Sequence, residues 1–319
     1  MSTMKAVRFE AYGPPSALSL RDVAVPALNP GEVLVRIDAA AVNPSDVKIV
    51  SGLFNATTPR TPGRDFAGLV VAGAGQEGRE VWGSGAGFGF RRDGAMAQFA
   101  VVPAAWLSDK PRTLSMAQAA AVGAPYVAAW SAIVTAGRVE AGQTVLITGA
   151  LGAVGRAATE IAHWKGAKVI GADRSDRPSK ADHLIDLRRQ ELVETARGLT
   201  GGRGVDLVLD AVGGELFEPA LRTLASGGRQ VAITSVGSSR VSFDLADFYH
   251  ARLQLVGLDT AKLSGEEIAL ILDAVRGGFE GGHFEPPAVR TWPLDDARAA
   301  FEAVAAGTAD AKPVLLPAA

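Results

Sequence analysis

The segment Val145 to Ile161, VLITGALGAVGRAATEI, organises the rest of the chain around it. It opens as the apolar end of a strand, and beyond Ala153 its pattern becomes helical. Between strand and helix stand Gly149, Gly152 and Gly155, on the spacing of a dinucleotide-binding turn with Ala150 in the first glycine position. A glycine at 152 lets backbone approach a pyrophosphate, and Gly155 lets the helix pack closely on the strand. The helix N-terminus turns free N–H groups and the positive end of its dipole toward the anion. A second strand, AKVIGAD, then ends at Asp173, about 20 residues on, where an acid addresses a ribose. Ala150, Leu151, Gly152, Ala153 and Val154 are the expected cradle.

Downstream, VDLVLDAV (205–212), RQVAITSV (229–236) and LQLVGLD (253–259) read as further strands, with the helix ELFEPALRTL (215–224) between the first two. Apolar runs this continuous suit strands buried on both faces, and their alternation with helices predicts a doubly wound parallel sheet. Upstream, residues 4–103 carry short strand-like segments separated by Gly and Pro, from MKAVRFEAY to MAQFAVVP, which predicts a small antiparallel barrel or sandwich. SMAQAAAVGAPYVAAWSAIVTAG (115–137) is helix-forming, with a break expected near Pro125. Ser264 and Glu267 form a capping-box spacing ahead of IALILDAV. The tail predicts a strand, a helix ending at Gly307 and a last strand over Val314 to Leu316. The expected α/β architecture is a Rossmann-type domain over 123–262, inserted in a mostly β domain formed by 1–122 and 263–319.

Composition narrows the chemistry. The 319 residues suit two domains, and 32 Lys plus Arg against 34 Asp plus Glu leave a net charge of −2 with no long run of one sign. Nothing there calls for nucleic acid or an anionic membrane. No signal pattern stands at the N-terminus, no apolar run reaches about 20 residues, and a cytoplasmic location is expected. With no cysteine, thiolate nucleophiles and cysteine-based metal sites are excluded. The histidines His163, His183, His250 and His283 are scattered without ligand-like spacing.

Taken together, VNPSDVKIVSG (42–52), PGRDFAGLVV (62–71), GAMAQFAVVP (94–103), ITGALGAVG (147–155), DLVLDAVGG (206–214), GRQVAITSVG (228–237) and AKPVLLP (311–317) make the chain resemble the medium-chain dehydrogenase/reductase superfamily, and within it the zinc-free quinone oxidoreductase group. The resemblance implies a GroES-like catalytic domain, a Rossmann domain, a cleft between them and a homodimer. It also places Asn43, Arg64 and a position close to Ala124 where zinc alcohol dehydrogenases of the superfamily carry metal ligands. Without that Lewis acid, hydride transfer from NAD(P)H to electron-poor acceptors, quinones or α,β-unsaturated carbonyls, is the expected reaction. An enoyl-thioester reductase and a cofactor-binding sensor with negligible turnover are the alternatives.

The resemblance nominates Asn43 as a partner of the acceptor oxygen or the nicotinamide ribose, against a role in turning the chain. Lys48 stands where many quinone oxidoreductases have tyrosine and some alkenal reductases have lysine. Tyr126 either donates its hydroxyl or packs. Arg64 and Asp65 are expected to pair with each other, and Val236 with Gly237 to run beside the nicotinamide. The loop Gly83 to Gln98 is either a substrate-binding cover or a mobile surface loop. Asp173 favours NADH, whereas Arg174, Arg177 and Lys180 could receive a 2′-phosphate. Either cofactor is expected, NADPH slightly ahead.

Overall fold

The computed structural model describes residues 2–317 and divides into two compact units, Met1–Ala124 with Ala261–Ala319, and Pro125–Thr260. The divisions fall two residues inside the expected inserted segment at either end.

In the first unit, β1 (Thr3–Phe9) and β2 (Leu18–Ala24) form an antiparallel ribbon. The larger sheet is built on β3 (Glu32–Ala41), whose Val33, Val35, Ile37 and Ala39 are fully buried at period two. Next come α1 (Pro44–Val50), β4 (Asp65–Ala72), β5 (Glu80–Gly83), β6 (Phe99–Pro103) and β7 (Ser108–Asp109). The expected antiparallel body is present: β4 pairs along one side of β3, and β6 along the first half of the other.

Helix α2 (Met116–Trp130) follows, and here the expected break is absent, for the helix runs through Pro125 and continues as a π-helical turn, Ser131–Ala136. Proline removes one N–H from the ladder, and the apolar packing around the helix outweighs that loss. The whole stretch Met116–Ala136 spans 21 residues and is long and apolar enough to cross a bilayer, unlike the shorter run expected, but 67% of its most apolar window is buried in protein, as in a core helix.

The second unit contains β8 (Thr144–Thr148), α3 (Ala153–Trp164), β9 (Lys168–Asp173), β10 (His183–Asp186), α4 (Leu192–Leu199), β11 (Val205–Asp210), α5 (Phe217–Arg222), β12 (Leu224–Ala232), α6 (Leu245–His250) and β13 (Gln254–Gly257). The strands form one parallel sheet in the order β10-β9-β8-β11-β12-β13. Direction of winding reverses between β8 and β11, so their C-terminal ends flank the crevice where open α/β sheets bind ligands. β10, α4 and α6 lack a sequence signal because they are short and flanked by charge.

The chain then re-enters the first unit with α7 (Gly265–Glu280), β14 (Val289–Pro293), α8 (Ala297–Ala305) and β15 (Lys312–Leu316). The capping box at α7 is real: Ser264 Oγ accepts from the Glu267 N–H at 3.1 Å, and the Ser264 N–H donates to Glu267 Oε2 at 2.7 Å. β15 completes the sheet against the end of β3, Val314 facing Ala41.

Candidate active site

The end of β3 is flanked by the starts of two strands. Ala41 pairs with Asp65 of β4 on one side and with Val314 of β15 on the other, and the Val42 N–H donates to the Pro313 carbonyl at 3.0 Å. Asn43, Asp65 and Lys312, far apart in sequence, thereby meet at one sheet edge. Asn43 donates from Nδ2 to Asp65 Oδ2 at 2.7 Å and accepts at Oδ1 from the Lys312 ammonium. Asp65, fully buried, also accepts from Ser84 Oγ at 2.6 Å and from the Ala124 N–H at 2.9 Å. A Cβ on Gly123 would come within 2.5 Å of the Asp65 carboxylate, so a glycine there lets α2 approach it. Burial pulls the Lys312 ammonium below the ordinary lysine range, opposed by the charges of Asp65 and Asp46.

Asn43 begins α1 rather than a turn. Pro44 occupies the first helical position, and the Asn43 N–H donates to Asp46 Oδ2 at 2.8 Å. The Asn43 side chain is left for Asp65 and Lys312. The expected Arg64 to Asp65 pair does not form, because three donors already saturate Asp65. Arg64 instead donates from its guanidinium to Ser45 Oγ at 3.2 Å.

Asp46 is fully buried, and its Oδ1 has no hydrogen-bond partner. Burial pushes its carboxyl up to about 6; Arg64 opposes the shift and Asp65 adds to it. Because this lies above the usual 3.8, Asp46 contributes stability that is complete below about pH 4 and lost as pH rises through 6. Asp46→Asn should therefore gain on the parent protein as pH rises from 4 to 7, by about 3 kcal/mol in all. Thermal melts across that range measure it, and a constant offset between the two proteins would contradict it.

The three nominated side chains divide between the units, Asn43 and Lys48 in the first and Tyr126 in the second. Lys48 lies five residues after Asn43, on a different face of α1, and its ammonium is exposed with no hydrogen-bond partner among the described residues. Tyr126 belongs to the second unit, where its hydroxyl donates to Glu160 Oε2 at 2.5 Å while Lys180 holds Glu160 Oε1. Its proton is thus committed to a carboxylate. The loop after β5 is largely tied down: Arg92 stacks on Phe88 and Trp106 and donates to the Val101 carbonyl, while Gly94, Ala95 and Met96 bond to the backbone of residues 61–63.

In the second unit the shape of the turn depends on its glycines. Gly149 adopts φ +65°, and a Cβ on Gly155 would lie 2.4 Å from the Gly149 oxygen, so only glycine permits this helix–strand approach. A Cβ on Gly152 would meet nothing nearer than 3.3 Å. Gly152 caps α3 without a side-chain bond, which leaves the N–H groups of Ala153 and Val154 available to an anion. Asp173 Oδ2 accepts from the Leu151 N–H at 3.0 Å, clasping the turn from the end of β9. Across the crevice, buried Asp210 accepts from Thr148 Oγ1 at 2.7 Å and the Gly213 N–H at 2.8 Å. Gly213 and Gly214 let that loop touch the backbone of Thr234 and Val236. Val236 itself is exposed. Asp210, Lys312 and the buried state of Asp46 escaped the sequence reading; the one available signal was AKPVLLP, where the lysine passes for a strand end.

A metal ion does not fit the first-unit corner. Asn43 Oδ1 already holds Lys312, Arg64 brings a second cation, and position 124 offers only a methyl group. Among the described residues no group of three His, Cys, Asp or Glu is placed to hold a metal.

Comparison with known proteins agrees with both units. Residues 29–112 match the alcohol dehydrogenase GroES-like domain, and residues 153–275 match the zinc-binding dehydrogenase family. The chain is 36% identical to a zinc-type alcohol dehydrogenase-like protein of Schizosaccharomyces pombe, over 88% of this chain and 87% of that one. It is 29% identical to the quinone oxidoreductase of Homo sapiens over 98% of each. A mycobacterial quinone oxidoreductase structure superposes with a TM-score of 0.86 at 26% identity, covering 98% of this chain and 100% of that one. With its antiparallel and Rossmann units, its nucleotide turn and these relatives, the chain belongs to the quinone oxidoreductase group of the medium-chain dehydrogenase/reductase superfamily, as an oxidoreductase with a nicotinamide cofactor.

Proposed function

We propose that the protein is an NAD(P)H-dependent reductase of quinones and α,β-unsaturated carbonyls that works without a metal. The observation that carries this is the replacement of the ligand corner by the Asn43–Asp65–Lys312 cluster, which supplies hydrogen bonds where the zinc enzymes have a Lewis acid. When bound, the reduced nicotinamide supplies hydride, and conjugated acceptors take hydride without metal polarisation because the charge spreads to their oxygen. The free N–H groups of Ala153 and Val154 bind the pyrophosphate, Ala150 to Gly152 form the turn beneath it, and Val236 and Gly237 border the nicotinamide. Asn43 is held rigidly by Asp65 and Lys312, and its remaining Nδ2 hydrogen serves as a donor to an oxygen. The proton comes from Lys48, the α1 side chain left to solvent, or from water. Tyr126 braces the second unit through Glu160.

NADPH is preferred slightly. Asp173 is drawn onto the Leu151 N–H, and Arg174, 72% exposed, stands beside it at the strand end, although Lys180 is held by Glu160. The protein acts as a homodimer through the outer edge of β13, the last strand of its sheet, where Leu255 is exposed close in sequence to exposed Tyr249 and Leu245. A cytoplasmic location completes the reading.

Steady-state assays crossing both nicotinamides with quinones, enones, enoyl thioesters and simple alcohols provide the test. Turnover should appear with quinones and enones and survive chelation. Arg174→Ala should weaken NADPH use several-fold and leave NADH nearly unchanged. Activity on alcohols alone would overturn the reaction class, and a preference for enoyl thioesters would transfer it to the alternative.

A further inference from the structure

Arg64 is unusual among the cations of its unit. Every other partly buried arginine there has a carboxylate within 4.0 Å, as Arg8 has Asp93 at 3.0 Å and Arg92 has Glu32 at 3.7 Å. Arg64 has none among the described residues, and its one side-chain bond goes to Ser45 Oγ. Asp65 is already taken by three donors, and Asp46, which accepts the Asn43 N–H at Oδ2 and leaves Oδ1 without a hydrogen bond, does not come within ion-pair distance of Arg64. Arg64 is also the one charged residue lining a recess whose walls include Ile49, Phe54, Phe88, Phe90 and the segment Gly85 to Gly87. Phe54 meets Phe90 edge to face, with ring centroids 6.4 Å apart, and the Arg91 guanidinium rests 5.3 Å from the Phe90 ring. A guanidinium with no carboxylate in contact, set against apolar walls, suits a planar anion, which it grips with parallel N–H groups.

We propose that Arg64 binds a carboxylate of the acceptor, so that the preferred substrates are conjugated carbonyl compounds carrying a carboxylate, their apolar part lying against Phe54 and Phe90. This rests on the reductase reading above and names the substrate class within it. A matched pair of probes is 4-oxo-2-pentenoate and its methyl ester. Reduction adds hydride and one proton across the carbon–carbon double bond, giving 4-oxopentanoate from the acid; reduced nicotinamide loses two electrons and solvent supplies the proton.

The acid should exceed the ester in kcat/KM by about tenfold or more, the worth of a charge-assisted hydrogen bond. Arg64→Met should collapse that ratio to about one, and Arg64→Lys should restore part of it. Melting temperatures confirm that the variants are folded. Equal kcat/KM for acid and ester in the parent protein, or an unchanged ratio in Arg64→Met, overturns the proposal. A second measurement is independent of turnover: calorimetric binding of 4-oxopentanoate should be detected with the parent and lost in Arg64→Met. If neither probe is reduced, the reductase reading fails for these acceptors, and calorimetry still tests the anion site: no binding, or equal binding by both proteins, sinks it.

Discussion

Lys312→Met should destabilise the first unit by about 3–5 kcal/mol, the usual cost of removing one partner from a buried charge group. The parent ammonium is bonded to Asn43 Oδ1 and lies in the field of Asp65 and Asp46, both fully buried. Without it, two carboxylates remain with Arg64 as their nearest cation, and Asn43 loses the contact that orients its amide. For a unit of this size the loss corresponds to a fall of roughly 10 °C in melting temperature. Asp46→Asn added to Lys312→Met should return at least about 1 kcal/mol, because the second change removes one of the uncompensated charges. Thermal and denaturant melts of the single and double variants measure both effects. A loss below about 1 kcal/mol in the single variant would show that the corner does not depend on this lysine.

Gly155→Ala and Gly152→Ala should separate folding of the nucleotide turn from its use. A methyl at 155 would sit 2.4 Å from the Gly149 oxygen and 2.6 Å from the Ala150 Cα, both backbone atoms that cannot swing aside. Helix α3 must then move off the turn, with a strain of about 1–3 kcal/mol, and cofactor affinity should fall on the order of 100-fold. At 152 the nearest atom, the Gly149 oxygen, is 3.3 Å away, so a methyl there asks for a shift of only a few tenths of an ångström, but it stands where a pyrophosphate approaches. That variant should melt close to the parent and still bind the nicotinamide more weakly. Fluorescence titration with NADPH and NADH, alongside melting temperatures, reads both. If Gly155→Ala binds either cofactor normally, the turn is not the pyrophosphate site.

The Rossmann unit was legible in the chain because its signals are local. Strand, turn and helix follow one another within Val145 to Ile161, and the glycines are dictated by backbone contacts between near neighbours. Ser264 with Glu267, and the alternating burial of β3, were readable for the same reason: each depends on residues three apart or two apart. Pro125 misled, since its local cost is outweighed by packing that no window of sequence contains. The corner of the first unit lay beyond sequence altogether. Asn43, Asp65 and Lys312 become neighbours only because β4 and β15 begin on either side of the end of β3, and the register of strands separated by 269 residues at the extreme is set by the whole sheet. The charge balance there followed from that meeting: once Lys312 answers the buried carboxylates, Asp65 has no need of the arginine beside it, and Arg64 is left facing the aromatic recess.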